Sequence, residues 1–306
     1  MATKSDFVVA EDGYRNPRVK KANYAYIPMI LVVFVSWGIV PAFAQLGGLD
    51  GYVTTLYVNW VALAAVAVIM TFLGQWKLLG AYSLRDYLIM GALGLVWPLM
   101  YSVAYFCSVS SEGAVMTSIL NYTWPVFYLV SALVVNPTAL QCRSLKHTVI
   151  SVLMAVGAVV AVMSFEGHVS FGMLQFAALG LIAAVTQGFY TAATDRWKYD
   201  VWVMTFVIEA VTAIGVTIMV LYQGTFVVPS MQTFLYLAAI GAISNGLGFV
   251  AFLKGSQLSG ECDLKHKGTW MIGMCTIPFA QALIALITGI AVKPSQWIGL
   301  AFILGS

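Results

Sequence analysis

Charge is what this sequence has least of. Only 9% of its 306 residues are Asp, Glu, Lys or Arg, while 61% are hydrophobic. A soluble globular chain carries about 25% charged residues, so water is excluded as the solvent for most of this surface. The net charge of +3 is too small to argue for a nucleic-acid partner. Cysteine is scarce as well. Cys107, Cys142, Cys262 and Cys275 lie far apart, with no CxxC or CxH spacing. That excludes a disulfide framework and a zinc site and leaves small apolar fillers. His147, His168 and His266 share no metal-ligand spacing. There is no glycine-rich phosphate loop, no pair of carboxylates, and no nucleophile with a base beside it. An enzyme is therefore not expected, nor a cofactor or a metal. No hydrophilic stretch is long enough for a soluble domain. The first 21 residues are polar and mixed in charge and lack the short apolar core and cleavage site of a signal peptide. They are expected to form a tail ahead of an uncleaved anchor.

What the sequence has in quantity is long apolar runs. A helix rises about 1.5 Å per residue, so about 20 apolar residues cross a hydrocarbon core of about 30 Å. By that measure ten spans are expected, near 25–44, 53–73, 87–109, 114–135, 147–163, 171–193, 201–222, 234–252, 269–288 and from 297 onward. The tenth looks clipped at Ser306. With the N-terminus in the cytoplasm, one side holds Lys4, Arg15, Arg18, Lys20 and Lys21 of the tail. It also holds Lys77, Arg85, Arg143, Lys146, Arg196, Lys198, Lys254, Lys265 and Lys267. Fourteen of the fifteen basic residues are then inside, and Lys293 alone is outside. The positive-inside rule supports the span count and the orientation together.

One span departs from ordinary membrane composition. Residues 114–135 carry Ser118, Asn121, Tyr122, Thr123, Trp124, Pro125 and Tyr128 near their middle. Hydrocarbon cannot satisfy the Asn121 amide, and Pro125 removes a backbone donor. Such a helix belongs against protein or a wet cavity. A weaker copy of it recurs. Thr123-Trp124-Pro125-Val126-Phe127 is mirrored by Thr276-Ile277-Pro278-Phe279-Ala280, and Val103-Ala104-Tyr105-Phe106 by Val250-Ala251-Phe252-Leu253. The fold class expected is thus all-α integral membrane, ten transmembrane helices as two five-helix repeats. Its parts are a cytoplasmic tail (1–22), a first repeat (23–165) and a second (166–306). Five is odd, so the second repeat is inverted, an arrangement that places a site at the midplane and supports alternating access.

This pattern resembles the drug/metabolite transporter superfamily, EamA type. Within it, Asn121-Tyr122-Thr123-Trp124-Pro125 looks like the N-Y-x-W-P motif of the aromatic amino-acid exporter branch, and Trp37 matches the family's first-span tryptophan. The chain differs from that branch at Gln187, where the exporters carry a tryptophan, at Asn136-Pro137 after the fourth span, and in a longer, more charged connection over 260–267. The resemblance implies a bacterial inner-membrane carrier that exports aromatic or other apolar amino acids.

Helical spacing sorts the polar residues into stripes. Thr117, Asn121, Trp124 and Tyr128 share a face, as do Trp97, Tyr101, Tyr105 and Ser108. Trp37 pairs with Pro41, and Gln187 with Tyr190. Gly241, Asn245, Gly248 and Phe252 form another stripe, and Trp270, Met274, Pro278 and Gln281 a further one. A central cavity lined by spans one, three, four, six, eight and nine is expected. Trp37, Tyr101, Tyr122 and Trp124 would stack on a flat solute, and Asn121, Gln187, Asn245 and Gln281 would orient it. Pro41, Pro125 and Pro278 are candidate hinges. Aromatic residues near span ends, among them Tyr24, Tyr26, Trp76, Tyr222 and Trp297, are expected in the interfacial belt. Glu209 reads as the acid set deep in a span. A charge there costs at least about 2.5–3.5 kcal/mol, so it is either a protonated or hydrogen-bonded structural acid or a candidate proton-coupling or amine-binding site. The expected partners are a small-molecule solute and the lipid bilayer, with oligomeric state open. Alternatives are an EamA-type carrier of a drug, purine or sugar derivative, and a scaffold subunit without a solute path.

Overall fold

The computed structural model describes residues 24–135, 145–164, 171–259 and 264–305. The expected tail, Asn136-Pro137, Cys142, Arg143, His168, Glu261, Cys262 and Ser306 lie outside the described residues, as do the side chains of Lys146, His147, Lys265, His266 and Lys267. Among the described residues the chain is 87% helix with no strand. Eight helices are long and apolar enough to cross a membrane, and with them the chain is a multi-pass membrane protein. The helices are α1 (Tyr26–Gly47), α2 (Gly51–Phe72), α3 (Leu84–Ser111) and α4 (Ala114–Val135). They continue as α5 (Leu145–Ser164) and α6 (Phe171–Arg196). Next come α7 (Val201–Gln223) and α8 (Met231–Ser259). The last are α9 (Leu264–Cys275 continued by Ile277–Ile287) and α10 (Pro294–Gly305). α5 keeps a shorter apolar core, Val152–Ala161. α9 already begins at Leu264, inside the stretch read from sequence as a connector over 260–267.

The helix ends follow from local chemistry. Asp50 caps α2, its carboxylate accepting from the N–H groups of Tyr52 at 2.7 Å and Val53 at 3.1 Å. Asp200 caps α7 the same way, with Trp202 at 3.0 Å and Val203 at 3.2 Å. An aspartate here satisfies orphan amides and meets the positive end of the helix dipole. α2 and α7 both stop at a left-handed glycine, Gly74 (φ 61°) and Gly224 (φ 65°), where a side chain would be strained. Ser83 caps α3 with Asp86 closing a capping box, and Ser230 caps α8.

Four helices are interrupted. α1 breaks after Gly38 ahead of Pro41, α4 at Tyr122–Thr123 ahead of Pro125, and α9 at Thr276 ahead of Pro278. All three expected hinge prolines thus stand at helix breaks. The fourth break was not anticipated. In α3, Trp97 is extended (φ −142°, ψ 128°) within a wide π turn over Leu95–Met100. Pro98 follows, and a residue before proline is pushed out of the α region. α8 carries its own π turn, Ile240–Gly248.

The bundle packs through small residues. α4 lies along α6, α1 along α8 and α9, α2 along α7 and α8, α3 along α6 and α7, and α5 along α10. Lipid is as apolar as a leucine side chain, so close van der Waals fit holds such helices together. A Cβ on Gly188 of α6 would meet the Tyr128 nitrogen of α4 at 2.5 Å, and one on Gly241 of α8 the Val58 carbonyl of α2 at 2.5 Å. The outer surface is apolar, with Leu31, Val35, Phe72, Ile218 and Ile287 exposed. Tyr24, Trp76, Tyr222 and Trp297 are exposed as an interfacial belt requires. Tyr26 is not, at 2% exposure, because it packs into the core with α1.

Contacts between loops identify the two ends of the bundle. At one, Asp200 N–H donates to the Tyr82 hydroxyl (2.8 Å), Tyr199 donates to Asp86 (3.3 Å), and Gln257 donates to the Tyr199 carbonyl (3.0 Å). At the other, Ala114 N–H donates to Gln45 (2.8 Å), and Thr233 reaches Gly47 O. Lys77, Arg85, Arg196, Lys198 and Lys254 flank the helix ends on the Asp86 side.

Replacing Gly188 with alanine should drive α4 and α6 apart, lowering stability by about 1–3 kcal/mol as overpacked sites do. Gly91→Ala is the control, because its new methyl meets only the Val211 side chain at 3.8 Å. Thermal unfolding in nanodiscs checks both, with a lower midpoint expected for the first variant and none for the second.

Candidate functional site

The breaks create the site. A proline cannot donate to the carbonyl four residues back, and the membrane interior supplies no water to replace it. Pro41 thereby frees the Trp37 carbonyl, and Gln281 of α9 donates its Nε2 to it at 3.0 Å. Trp37 in turn donates Nε1 to the Ser244 carbonyl in the π turn of α8, at 3.3 Å. The Ser244 hydroxyl returns a hydrogen bond to the Ser36 carbonyl. Pro98 frees the Gly94 carbonyl, which accepts from the Thr212 hydroxyl of α7 at 3.1 Å. The breaks ahead of Pro125 and Pro278 are locked locally. Thr123 Oγ1 donates to Leu120 O at 2.7 Å, and Thr276 Oγ1 to Gly273 O at 2.7 Å.

Where α1, α3, α8 and α9 diverge there is a cavity of about 30 Å³, lined by Trp37, Val40, Trp97, Tyr101, Ser102, Tyr105, Phe106, Asn245 and Gln281. A water needs about 10–15 Å³ of such space, so the cavity holds about two waters in this arrangement. Four of the eight residues expected to bind solute meet there: Trp37, Tyr101, Asn245 and Gln281. Asn121 stands one layer back and donates Nδ2 to the Tyr101 hydroxyl at 3.2 Å. Tyr122 is buried within electrostatic reach of Tyr101, Tyr105 and Cys275, outside the lining. Trp124 is 1% exposed and packs in the core. Gln187 bonds within its own helix, Nε2 to Thr191 Oγ1 at 3.3 Å. α4 and α6 therefore support the cavity and do not line it.

Several polar atoms around the cavity have no hydrogen-bond partner among the described residues. They are Gln281 Oε1, Asn121 Oδ1 and Trp97 Nε1. The Tyr105 hydroxyl, beside the Ser118 hydroxyl, makes no hydrogen bond of good geometry among the described residues. Among the described residues no charged side chain lines the cavity.

Toward the Asp86 end the path is filled by rings. Trp97 stacks on Phe249 (4.1 Å between centroids) and on Tyr190 (4.8 Å). The block continues through Phe249–Phe252 (6.2 Å) to Phe252–Trp270 (5.9 Å), and Trp37 joins it at Phe252 (5.0 Å). Beyond it, Asp195 of α6 accepts from Tyr128 of α4 (2.8 Å) and Ser256 of α8 (3.0 Å). Asp195 is thus a second buried acid, missed because the sixth span was expected to stop at 193 while α6 runs to Arg196. A separate groove of about 170 Å³ between α4 and α5 is lined by Thr123, Val126, Phe127 and α5 valines. It presents an apolar surface with nothing to orient a polar solute.

Glu209 lies on the buried face of α7, with Thr205 and Thr212. Both of its carboxyl oxygens lack a hydrogen-bond partner among the described residues. Among the same residues no group of His, Cys, Asp and Glu could hold a metal ion.

In a background with all four cysteines replaced by alanine, Asn245→Cys should react with a small water-soluble methanethiosulfonate. Ser108→Cys, at a fully buried position bonded to Thr117, should stay unreactive. Mass spectrometry of labelled protein in liposomes checks the pair. Equal labelling would mean that the cavity is not the wet part of the bundle.

No family model and no curated protein matches this chain. Among solved structures, one crystal structure superposes with a TM-score of 0.68 at 17% sequence identity, over 93% of this chain and 97% of its own. The two share a fold, and the likeness carries no function with it.

Proposed function

We propose that this protein is an alternating-access carrier of the drug/metabolite transporter type, built as two inverted five-helix repeats. We further propose that its solute is a small, overall uncharged metabolite with an aromatic or apolar side chain. An exported amino acid fits this description best. The observation that carries the reading is the cavity where α1, α3, α8 and α9 diverge. Among the described residues it is aromatic on its faces and free of charged groups, and its lining includes an unpaired acceptor in Gln281, an unpaired donor in Trp97 and the Tyr105 hydroxyl. A zwitterion needs both an acceptor for its ammonium and donors for its carboxylate, while its ring stacks on Trp37 or Tyr101. A phosphorylated solute would call for lysine or arginine, and the lining has neither.

The repeat reading is supported by features that recur in order. α2 and α7 share an aspartate cap and a left-handed glycine stop, α3 and α8 a serine cap and a π turn, α4 and α9 a Thr-x-Pro break. Exchanging the halves turns the α1–α8 contact into α6–α3 and the α1–α9 contact into α6–α4. It leaves α2–α7 and α5–α10 as they are, and all of these contacts occur. The basic residues flanking the Asp86 end support a cytoplasmic N-terminus and an inner-membrane location. A cavity closed by rings on that side corresponds to the arrangement nearer to opening outward. A cavity holding about two waters cannot hold an amino acid, so loading requires the broken helices to move. Prolines without a backbone bond are where such motion is least costly.

Purified protein in liposomes should exchange labelled phenylalanine, tyrosine or tryptophan by counterflow. Asn245→Ala and Tyr105→Phe should each lower kcat/KM about two- to tenfold, the value of one neutral hydrogen bond of about 0.5–1.5 kcal/mol. Trp124→Phe, outside the lining, should leave KM within about twofold on the same scale. Exchange of another solute with none of the three amino acids would overturn the substrate class and leave the carrier reading standing.

A further inference from the structure

We propose that Glu209, with Tyr190 and Trp97 around it, is a proton-binding site that couples proton movement to the cavity. This rests on the carrier reading above. Three observations meet at the break in α3. First, α7 presses against α3 just before the break: a Cβ on Gly94 would lie 3.1 Å from Ile208 Cα, and Thr212 donates to Gly94 O. Second, the polar atoms gathered here are unpaired among the described residues: both Glu209 carboxyl oxygens, the Tyr190 hydroxyl and Trp97 Nε1. Tyr190 lies within electrostatic reach of the Glu209 carboxyl, and its ring stacks on Trp97 at 4.8 Å. Third, Trp97 also lines the cavity. The tyrosine within reach of the buried acid thus stacks on an indole that lines the place where solute would sit.

The groups around Glu209 narrow its ligand to a proton. α6 offers Tyr190. On α3, Arg85 and Asp86 sit at the helix start, Asp86 held by Ser83 and Tyr199, while Tyr101 and Tyr105 line the cavity. On α2, Tyr52 and Tyr57 lie toward the opposite end, with Tyr57 donating to Val227 O. Lys254 of α8 and Lys77 of the 75–81 turn are exposed. Among the described residues no cation stands opposite the carboxyl, and a lone carboxylate in this surrounding is not tolerated. The acid therefore carries its proton while α3 is closed around it. The unpaired phenol O–H of Tyr190, and the indole N–H of Trp97 stacked on that ring, are donors suited to a carboxylate. When the Trp97 segment moves and water enters from the cavity, those donors can meet the ionised form, the O–H bond breaks, and the proton leaves to water. Glu209 lies eight residues inside α7, about 12 Å from its start at the Asp86 end. A ligand that favours one arrangement of Trp97 and a proton that favours one form of Glu209 are then linked, each shifting the other's equilibrium.

The test uses the full chain in liposomes with phenylalanine as probe. Wild type should show counterflow at equal pH and accumulation driven by a pH gradient. Glu209→Gln, which mimics the protonated acid, should keep counterflow within about twofold while accumulation falls to the level without a gradient. Accumulation by Glu209→Gln equal to wild type, or wild-type flux blind to the gradient, would overturn the proposal. If phenylalanine is not carried at all, the solute assignment fails by itself, and infrared difference spectra between acid and alkaline buffers decide the site without any solute. A protonated-carboxyl band absent from Glu209→Gln and shifted in its pH midpoint by Trp97→Phe supports the proposal. A band set by sodium and not by pH, or one that survives in Glu209→Gln, refutes it.

Discussion

A carbonyl that loses its amide inside a membrane has to find another donor, and much of this structure follows from where those donors come from. Pro41 and Pro98 each free one carbonyl in the first half of the chain, and each is taken by a side chain of the second, Gln281 and Thr212. The helices that could not stand broken alone are held by their neighbours. An interhelical hydrogen bond of this kind gives only about 0.6–2 kcal/mol, enough to set a position and small enough to be exchanged for a solute or for water. Gln281, which lines the cavity, illustrates the point: its nitrogen closes the break in α1, and its oxygen has no partner among the described residues.

The aromatic residues divide the interior into two chemistries. On one side of Trp97 lie amides and hydroxyls without charge, and on the other stand the stacked rings of Tyr190, Phe249 and Phe252. Ring stacking of this sort is worth about 0.5–1.5 kcal/mol per pair beyond burial. The block is therefore firm as a whole and separable contact by contact. Its two flanking acids behave differently. Asp195 accepts from Tyr128 and Ser256 and joins three helices, whereas Glu209 has donors near it and none in hand.

Much of the helical layout was legible in the apolar runs, because length and hydropathy are properties of a single segment. The three breaks at Pro41, Pro125 and Pro278 were legible for the same reason. The break at Pro98 does not show in the Trp97–Tyr101–Tyr105 stripe, because a stripe presumes the helix it runs along. The aspartate caps at Asp50 and Asp200 share an Asp-x-aromatic-Val pattern that is visible in the sequence. Which stripe faces the cavity was not legible at all. Tyr122, Trp124 and Gln187 sit on mixed polar-aromatic faces as Trp37 and Tyr101 do, yet they turn toward neighbouring helices or a side chain of their own helix. Periodicity defines a face and says nothing about which helix will cover it.

Gly188 has a further consequence. Its Cα runs against the backbone of Phe127 and Tyr128 with no room for a methyl group. Two helices in such contact cannot slide or roll on each other without lifting apart, so α4 and α6 form a single beam. The polar segment Asn121-Tyr122-Thr123-Trp124 belongs to that beam. Its part is then that of a fixed support behind the cavity that α1, α3, α8 and α9 line.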